Sequence, residues 1–171
     1  LDVVVPLGWR GLPDGIVFTH DGADVATLRI TGSQLTIAAI DASFNRITLR
    51  FHTEVGETLW GGGEQMSYLA LNGRRFPMWT SEPGVGRDKT TRLTQIMDAE
   101  GMAGGDYWNT NYPQPTVLTS RWHAVHLEES CYSVVDATDG LMFEIWRNSA
   151  TFHLFAADGP AALVGALSSH F

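Results

Sequence analysis

The chain has 171 residues, of which 44% are hydrophobic and 18% are Asp, Glu, Lys or Arg, and its formal net charge is −8. That balance excludes a disordered chain, which combines few apolar residues with dense charge, and an acidic domain without a basic stripe is unsuited to binding nucleic-acid phosphates. No run of eighteen apolar residues is present to span a membrane, and the single cysteine, Cys131, excludes an intrachain disulfide framework.

Taken in chain order, Val25–Ile30 and Gln34–Ile40 read as strands on either side of the turn former Thr31-Gly32-Ser33. Asn45–Phe51 alternates, with Ile47, Leu49 and Phe51 on one face and Arg46, Thr48 and Arg50 on the other, the pattern of a half-buried strand. The region Gly61–Pro115 is richer in glycine and aromatics and only weakly periodic. Within it Asn72-Gly73 is a candidate two-residue hairpin turn and Thr91–Met97 reads as a strand. Thr116–Ser120, Arg121–Leu127, Ser130–Asp136, Leu141–Ile145 and Ala150–Phe155 follow as strands, with Asp139-Gly140 as the second hairpin candidate. One helix is predicted over Pro160–Leu167, with Asp158 as its cap and Pro160 in its first turn. Many short strands separated by turn signals predict an all-β fold, an antiparallel sandwich or barrel, with a short C-terminal helix.

The irregular middle region holds the residues that could carry chemistry. Glu64 and Gln65 follow three glycines, Trp79 and Glu82 precede Arg87 and Lys89, and Asp106, Tyr107 and Trp108 follow a glycine pair. Flat aromatic faces that pack on a sugar ring, together with carboxylates and amides that bridge its hydroxyls, are what a carbohydrate site uses. The same residues have plainer readings. A triple glycine serves a bulge or tight turn, Glu82 can pair with Arg87 or Lys89, and Asp106 can cap a turn. Glu64, Glu82 and Asp106 are candidates for the carboxylate pair of a glycosidase, which stands about 5–5.5 Å apart for retention or about 6.5–9.5 Å for inversion; sequence does not place them relative to each other.

The histidines do not form a metal motif in sequence. His123 and His126 lie in a predicted strand, where an offset of three turns the rings to opposite faces, and His20, His52, His153 and His170 are scattered. Cys131 has no neighbouring base to activate it. Phosphate loops, dinucleotide fingerprints and nucleophile elbows are missing as well. No metal and no cofactor is expected.

Three motif blocks carry a resemblance: GGGEQM at 61–66, NGRRFPMWTSEPGVGRDK at 72–89, and GGDYW at 104–108 with YPQP at 112–115. Together they resemble glycoside hydrolase family 31, in the bacterial α-glucosidase-like branch that includes the sulfoquinovosidases. The resemblance covers about residues 57–171; residues 1–56 match only in strand pattern. It implies a galactose-mutarotase-like β-sandwich, N-terminal to a catalytic (β/α)8 barrel whose catalytic aspartates are absent from this sequence. By the same resemblance the substrate-facing residues are expected among Glu64, Gln65, Trp79, Glu82, Arg87, Asp106, Tyr107 and Trp108, with no catalytic residue in this chain.

The organisation expected from this is a sandwich over 1–157, truncated at its N-terminus, and the start of a linker at 158–171 leading toward the barrel. A start at Leu1 without Met and a stop just inside a predicted helix read as cuts in a longer bacterial, cytoplasmic enzyme. Its partners would be its own barrel and a carbohydrate substrate, an α-glucoside or α-sulfoquinovoside. A face built to meet the barrel should expose apolar surface, lined by Trp60, Trp79, Tyr107 and Trp108. A free-standing carbohydrate-binding module and a sugar mutarotase or epimerase stay open as alternatives, since fold alone does not decide function.

Overall fold

Alternation of apolar and polar residues, as at Ile47–Phe51 and Leu141–Ile145, gives a strand one face to bury, and the chain satisfies this with two facing antiparallel sheets. The computed structural model describes residues 7–65, 67–82, 88–101 and 105–171. Twelve strands are seen there: β1 (Gly8–Leu12), β2 (Gly15–His20), β3 (Ala23–Thr31), β4 (Gln34–Ala39), β5 (Ile47–Phe51), β6 (Leu59–Gly63), β7 (Arg75–Met78), β8 (Pro113–Thr119), β9 (His123–Leu127), β10 (Ser133–Asp136), β11 (Leu141–Ile145) and β12 (Ser149–Ala156). Two helices accompany them, α1 (Arg92–Ala99) and α2 (Pro160–His170). The larger sheet runs β1-β2-β3-β4-β12-β9-β8-β6 and the smaller β5-β11-β10-β7, so the fold is the all-β antiparallel sandwich that the sequence predicts.

The core lies between the smaller sheet and the β4-β12-β9-β8-β6 part of the larger one. Leu35, Leu59, Val117, Val125, Leu127, Ala150 and Phe152 come from the larger sheet. Ile47, Phe76, Met78, Val135, Leu141, Phe143 and Ile145 meet them from the smaller. At the centre, Phe51, Phe143 and Phe152 pack edge to face, with ring centroids 5.2–5.8 Å apart. A second apolar cluster sits on the outer face of the larger sheet, where Leu163 and Leu167 of α2 pack on Ala124, Leu118 and Phe155. The β1–β3 part of the larger sheet has few buried side chains, Val17 and Val25 among them. No helix among the described residues is long and apolar enough to cross a membrane.

Local chemistry explains where the sequence reading departs from this structure. Thr91–Met97 is not a strand but most of α1. Its β-branched residues suggest a strand, yet Thr91 is in extended conformation as N-cap and its hydroxyl accepts from Thr94 N–H, while Gly101 follows at φ +72°. Asn72-Gly73 joins β6 to β7, which lie in different sheets, so it makes no hairpin. Asn72 instead accepts from Leu59 N–H through Oδ1 and donates to Glu57 C=O through Nδ2. Asp139-Gly140 does lie between paired strands, but in the four-residue connection 137–140 of β10 and β11. The left-handed two-residue turn is at Asp21-Gly22, where both residues have positive φ, 49° and 80°. Asp158 does not cap α2: Pro160 takes the first helical position, Gly159 is the N-cap, and the helix runs on to His170. Cys131 lies before β10 rather than in it.

The aromatic triad sets one expectation. Phe143→Ala should lower the unfolding free energy by about 3–5 kcal/mol, measured as a shift of the urea midpoint at unchanged slope.

Candidate functional site

The strands β6 and β7 end their respective sheets, and the segments that follow them carry the motif residues. The approach of β6 to β8 is set by glycine. A Cβ on Gly61 would stand 2.2 Å from Thr116 C=O, and one on Gly63 would stand 2.0 Å from Tyr112 C=O and 2.5 Å from Gln114 N. Both glycines also have positive φ, 114° and 83°. Between them the register jumps from Gly61 opposite Val117 to Gly63 opposite Pro113, so β8 bulges outward over Gln114–Thr116. Pro113 and Pro115 supply no N–H at that bulge, which suits them to a place where pairing lapses.

This close approach delivers Glu64 to a fixed position. Its N–H donates to Tyr112 C=O at 2.9 Å and its C=O accepts from the Thr110 hydroxyl at 2.7 Å. Thr110, fully buried, also accepts at its own C=O from Ser81 N–H at 2.9 Å. Its neighbour Asn109, buried as well, donates from Nδ2 to the Ser81 hydroxyl at 2.6 Å and accepts at Oδ1 from Asp106 N–H at 2.6 Å. The pair Asn109-Thr110 thus ties the end of β6, the loop after β7 and the turn at Asp106 into one unit. Sequence reading passed over both residues, since neither type suggests chemistry. The available signal was their place between two motif blocks in a polar segment.

The predicted site residues fall into three groups. Glu64, Trp79 and Glu82 present exposed side chains along this edge, Trp79 at 53%. Asp106, Tyr107 and Trp108 are largely structural: Asp106 accepts from Tyr107 N–H and caps its own turn. Tyr107 packs on Phe76 and Tyr68, and its hydroxyl donates to Arg75 C=O at 2.9 Å. Trp108 packs against the core. Gln65 is intermediate: its Nε2 donates to Gly62 C=O at 2.8 Å, while its buried Oε1 has no partner among the described residues. Arg87 lies outside the described residues. Among the described residues Glu82 has no ion-pair partner, so a pair with Lys89 is not formed. Of the four aromatics expected on an apolar contact face, only Trp79 is exposed; Trp60, Tyr107 and Trp108 are half-buried.

Trp79 belongs to an aromatic row. It lies 6.5 Å from Trp108 and 5.9 Å from Tyr132, Tyr132 lies 5.0 Å from Trp146, and the Arg46 guanidinium covers Trp146 at 4.2 Å. A groove of about 400 Å³ beside this row is lined by Trp79, Thr80, Pro113, Pro115, Cys131 and Tyr132. A second groove of about 570 Å³ lies between Gly63, Glu64, Tyr112 and the apolar side of α2 at Val164 and Leu167. Desolvation by burial raises the Cys131 thiol above its usual range, which disfavours the thiolate form. Asp88 is held below the ordinary carboxylate range by hydrogen bonds from the Thr90 hydroxyl and N–H, which fix the entry to α1.

With this geometry described, comparison with known proteins locates the chain. No protein-family model matches it. It is 50% identical over 162 residues to a sulfoquinovosidase of Agrobacterium fabrum, covering 92% of this chain and 24% of that protein. It is 36% identical over 166 residues to a sulfoquinovosidase of Escherichia coli, with the same coverage of 92% and 24%. Among solved structures, a GH31 family sulfoquinovosidase from E. rectale in complex with an aza-sugar inhibitor superposes with a TM-score of 0.81 at 35% identity, over 98% of this chain and 26% of that one. The chain spans about a quarter of the length of the relatives it matches.

Two outcomes follow from the packing. Thr110→Val strands the carbonyl of Glu64 beside a buried methyl and should destabilise the chain by about 1–3 kcal/mol, read by urea unfolding. Cys131 should react with iodoacetamide more slowly than free cysteine at pH 7.5. Its rate should go on rising with pH above the range where the free thiol levels off, since its titration is displaced upward.

Proposed function

We propose that this chain, which belongs to glycoside hydrolase family 31 as a β-sandwich domain of the sulfoquinovosidase branch, is the N-terminal accessory domain of a retaining α-glycosidase and supplies loops to the mouth of its active site. Residues 158–171 then lead from the sandwich toward a catalytic (β/α)8 barrel. Hydrolysis of the O-glycosyl bond of an α-glucoside or α-sulfoquinovoside belongs to two carboxylates on that barrel, and the sandwich positions groups around the glycone. A bacterial cytoplasmic setting is part of the same proposal.

The observation that carries this reading is the joining of the motif loops by Asn109 and Thr110. A segment with no partner would have little use for a buried network that fixes the backbone of Glu64 and Ser81 while leaving the Glu64, Trp79 and Glu82 side chains outward. Fixed backbone under outward polar and aromatic groups is what preorganised recognition of a substrate requires. Trp79 offers an apolar face for a pyranose ring and Glu64 and Glu82 offer acceptors for its hydroxyls. The exposed Trp79 and Trp146 at the two ends of the aromatic row favour direct sugar contact by the sandwich in addition to support of the barrel.

The test is a chimera in which this chain replaces the matching segment of the A. fabrum sulfoquinovosidase. The chimera should hydrolyse a chromogenic α-sulfoquinovoside, while the 171-residue chain alone should not. Trp79→Ala and Glu82→Ala in the folded chimera should lower kcat/KM by roughly tenfold each, or about 1.4 kcal/mol of transition-state stabilisation. Wild-type kcat/KM in both variants would remove these loops from the active-site mouth. Enzyme-like turnover by the chain alone would overturn the accessory role.

A further inference from the structure

The histidines that sequence left scattered are brought together by the fold, away from the loops described above. On the outer face of the larger sheet, β9 and β12 pair with His126 directly opposite His153. The last turn of α2 brings His170 over both, with ring centroids 5.6 Å from His126 and 4.2 Å from His153. Glu128, two residues beyond His126 and so on the same side of the chain, completes the group. Its Oε2 stands 3.6 Å from Nε2 of His126, 3.3 Å from Nε2 of His153 and 3.2 Å from Nε2 of His170.

Three imidazole nitrogens therefore converge on one carboxylate oxygen. Of the three rings, His170 makes a hydrogen bond to this carboxylate, at 3.2 Å, while Nε2 of His126 and of His153 stand near the same oxygen without one. Protonation of all three rings would set three adjacent cations against one carboxylate, with the His153 and His170 ring centroids only 4.2 Å apart. A divalent ion held by two of the imidazoles and the carboxylate would draw the group together without gathering positive charge on the rings. The ligand atoms of His126, Glu128 and His170 all lie within 4.8 Å of one another, close enough for small side-chain adjustments to reach the spacing of about 3.3 Å that tetrahedral bonds of about 2.0–2.1 Å require.

The surroundings are those of a ligand set. The Thr116 hydroxyl, buried, hydrogen-bonds Nδ1 of His126 at 2.8 Å, which fixes the ring and turns Nε2 toward Glu128. Metal-binding histidines are oriented in this way through their second nitrogen. Phe171 packs edge-on against His126 at 4.8 Å and Phe155 against His170 at 5.5 Å, giving the group an apolar wall. Imidazole with one carboxylate is the donor set of zinc and its neighbours, whereas calcium takes six to eight oxygens.

We propose that His126, Glu128 and His170, with water in the remaining position, bind one Zn²⁺-class divalent ion that fastens the C-terminal turn of α2 to the larger sheet. The need for a fastener is visible in the helix itself. Its buried side chains are Leu163 and Leu167, one helical turn apart, and its N-cap has no side-chain hydrogen bond. An ion that bridges β9 and the end of α2 fixes how the helix sits on the sheet. The proposal rests on this geometry alone and holds whatever the loops at the other site bind.

Calorimetric titration of the chelator-stripped 171-residue chain with Zn²⁺ tests it, with Co²⁺ absorption as the spectroscopic readout. One ion per chain should bind, with a dissociation constant on the order of 1 μM or tighter. Co²⁺ should give the visible bands of a four-coordinate site, and Zn²⁺ should raise the thermal midpoint. Glu128→Gln and His170→Gln, both at the surface and outside the sandwich core, should each abolish one-to-one binding while leaving the circular dichroism unchanged. Thr116→Val should weaken it about tenfold or more, and His52→Ala, at a remote exposed histidine, should leave it unchanged. Absence of one-to-one binding up to about 100 μM Zn²⁺, or binding that persists in both Glu128→Gln and His170→Gln, overturns the proposal.

Discussion

The backbone of β6 lies so close to that of β8 that no side chain fits between them at Gly61 and Gly63. Much of the candidate site depends on that contact. Because β6 closes on β8, the bulge at Gln114–Thr116 has to form, and Tyr112 C=O is left facing Glu64 N–H. Glu64 C=O is then within reach of Thr110, and Thr110 reaches Ser81. A requirement for missing Cβ atoms in one edge strand is thereby passed on, bond by bond, to a loop that begins in the opposite sheet. The positive φ at these glycines adds a conformational reason to the steric one, so the two constraints select the same residue type.

Much of this was legible in the sequence, and the limits have physical causes. Alternation at Ile47–Phe51 and Leu141–Ile145 gives both strand and facing correctly, because a period of two in a sandwich admits one reading. Period fails at α1, where threonines and an isoleucine suggest a strand and the capping hydrogen bond of Thr91 decides for a helix. It fails again at Asn72-Gly73, where the same dipeptide that makes a hairpin elsewhere joins the two sheets, since Asn72 spends its side-chain amide on Leu59 and Glu57. Among the expected site residues, Glu64 and Trp79 present exposed side chains. At Asp106 and Tyr107 the polar groups are engaged by their own turn and by Arg75. The buried organisers Asn109 and Thr110 and the grouping of His126, His153 and His170 depend on strand register and helix placement, which local sequence does not encode.

The molecule thus separates two kinds of work onto two surfaces. The edge formed by β6 and β7 holds a rigid backbone beneath outward carboxylates and aromatics. The outer face of the larger sheet holds α2, through two leucines and a group of imidazoles. The eight-stranded sheet connects them, since β8 carries the bulge at one end of its length and Thr116, the partner of His126, within it. The sandwich architecture hosts many activities, and these two surfaces, rather than the architecture, distinguish this chain.

The sheets are unequal, eight strands against four, and the difference falls on β1, β2 and β3, whose side chains are mostly exposed or half-buried. Those strands are held by ladder hydrogen bonds and by surface ion pairs such as Arg29–Asp14 and Arg10–Asp24, contributions that are individually small. The β1–β3 strands, of which Leu28 packs on the main core, should therefore open at lower free energy than the double-layered half locked by the phenylalanine triad. In native-state hydrogen exchange the amides of β1 and β2 would be released through local opening, and those of β9, β11 and β12 only through global unfolding.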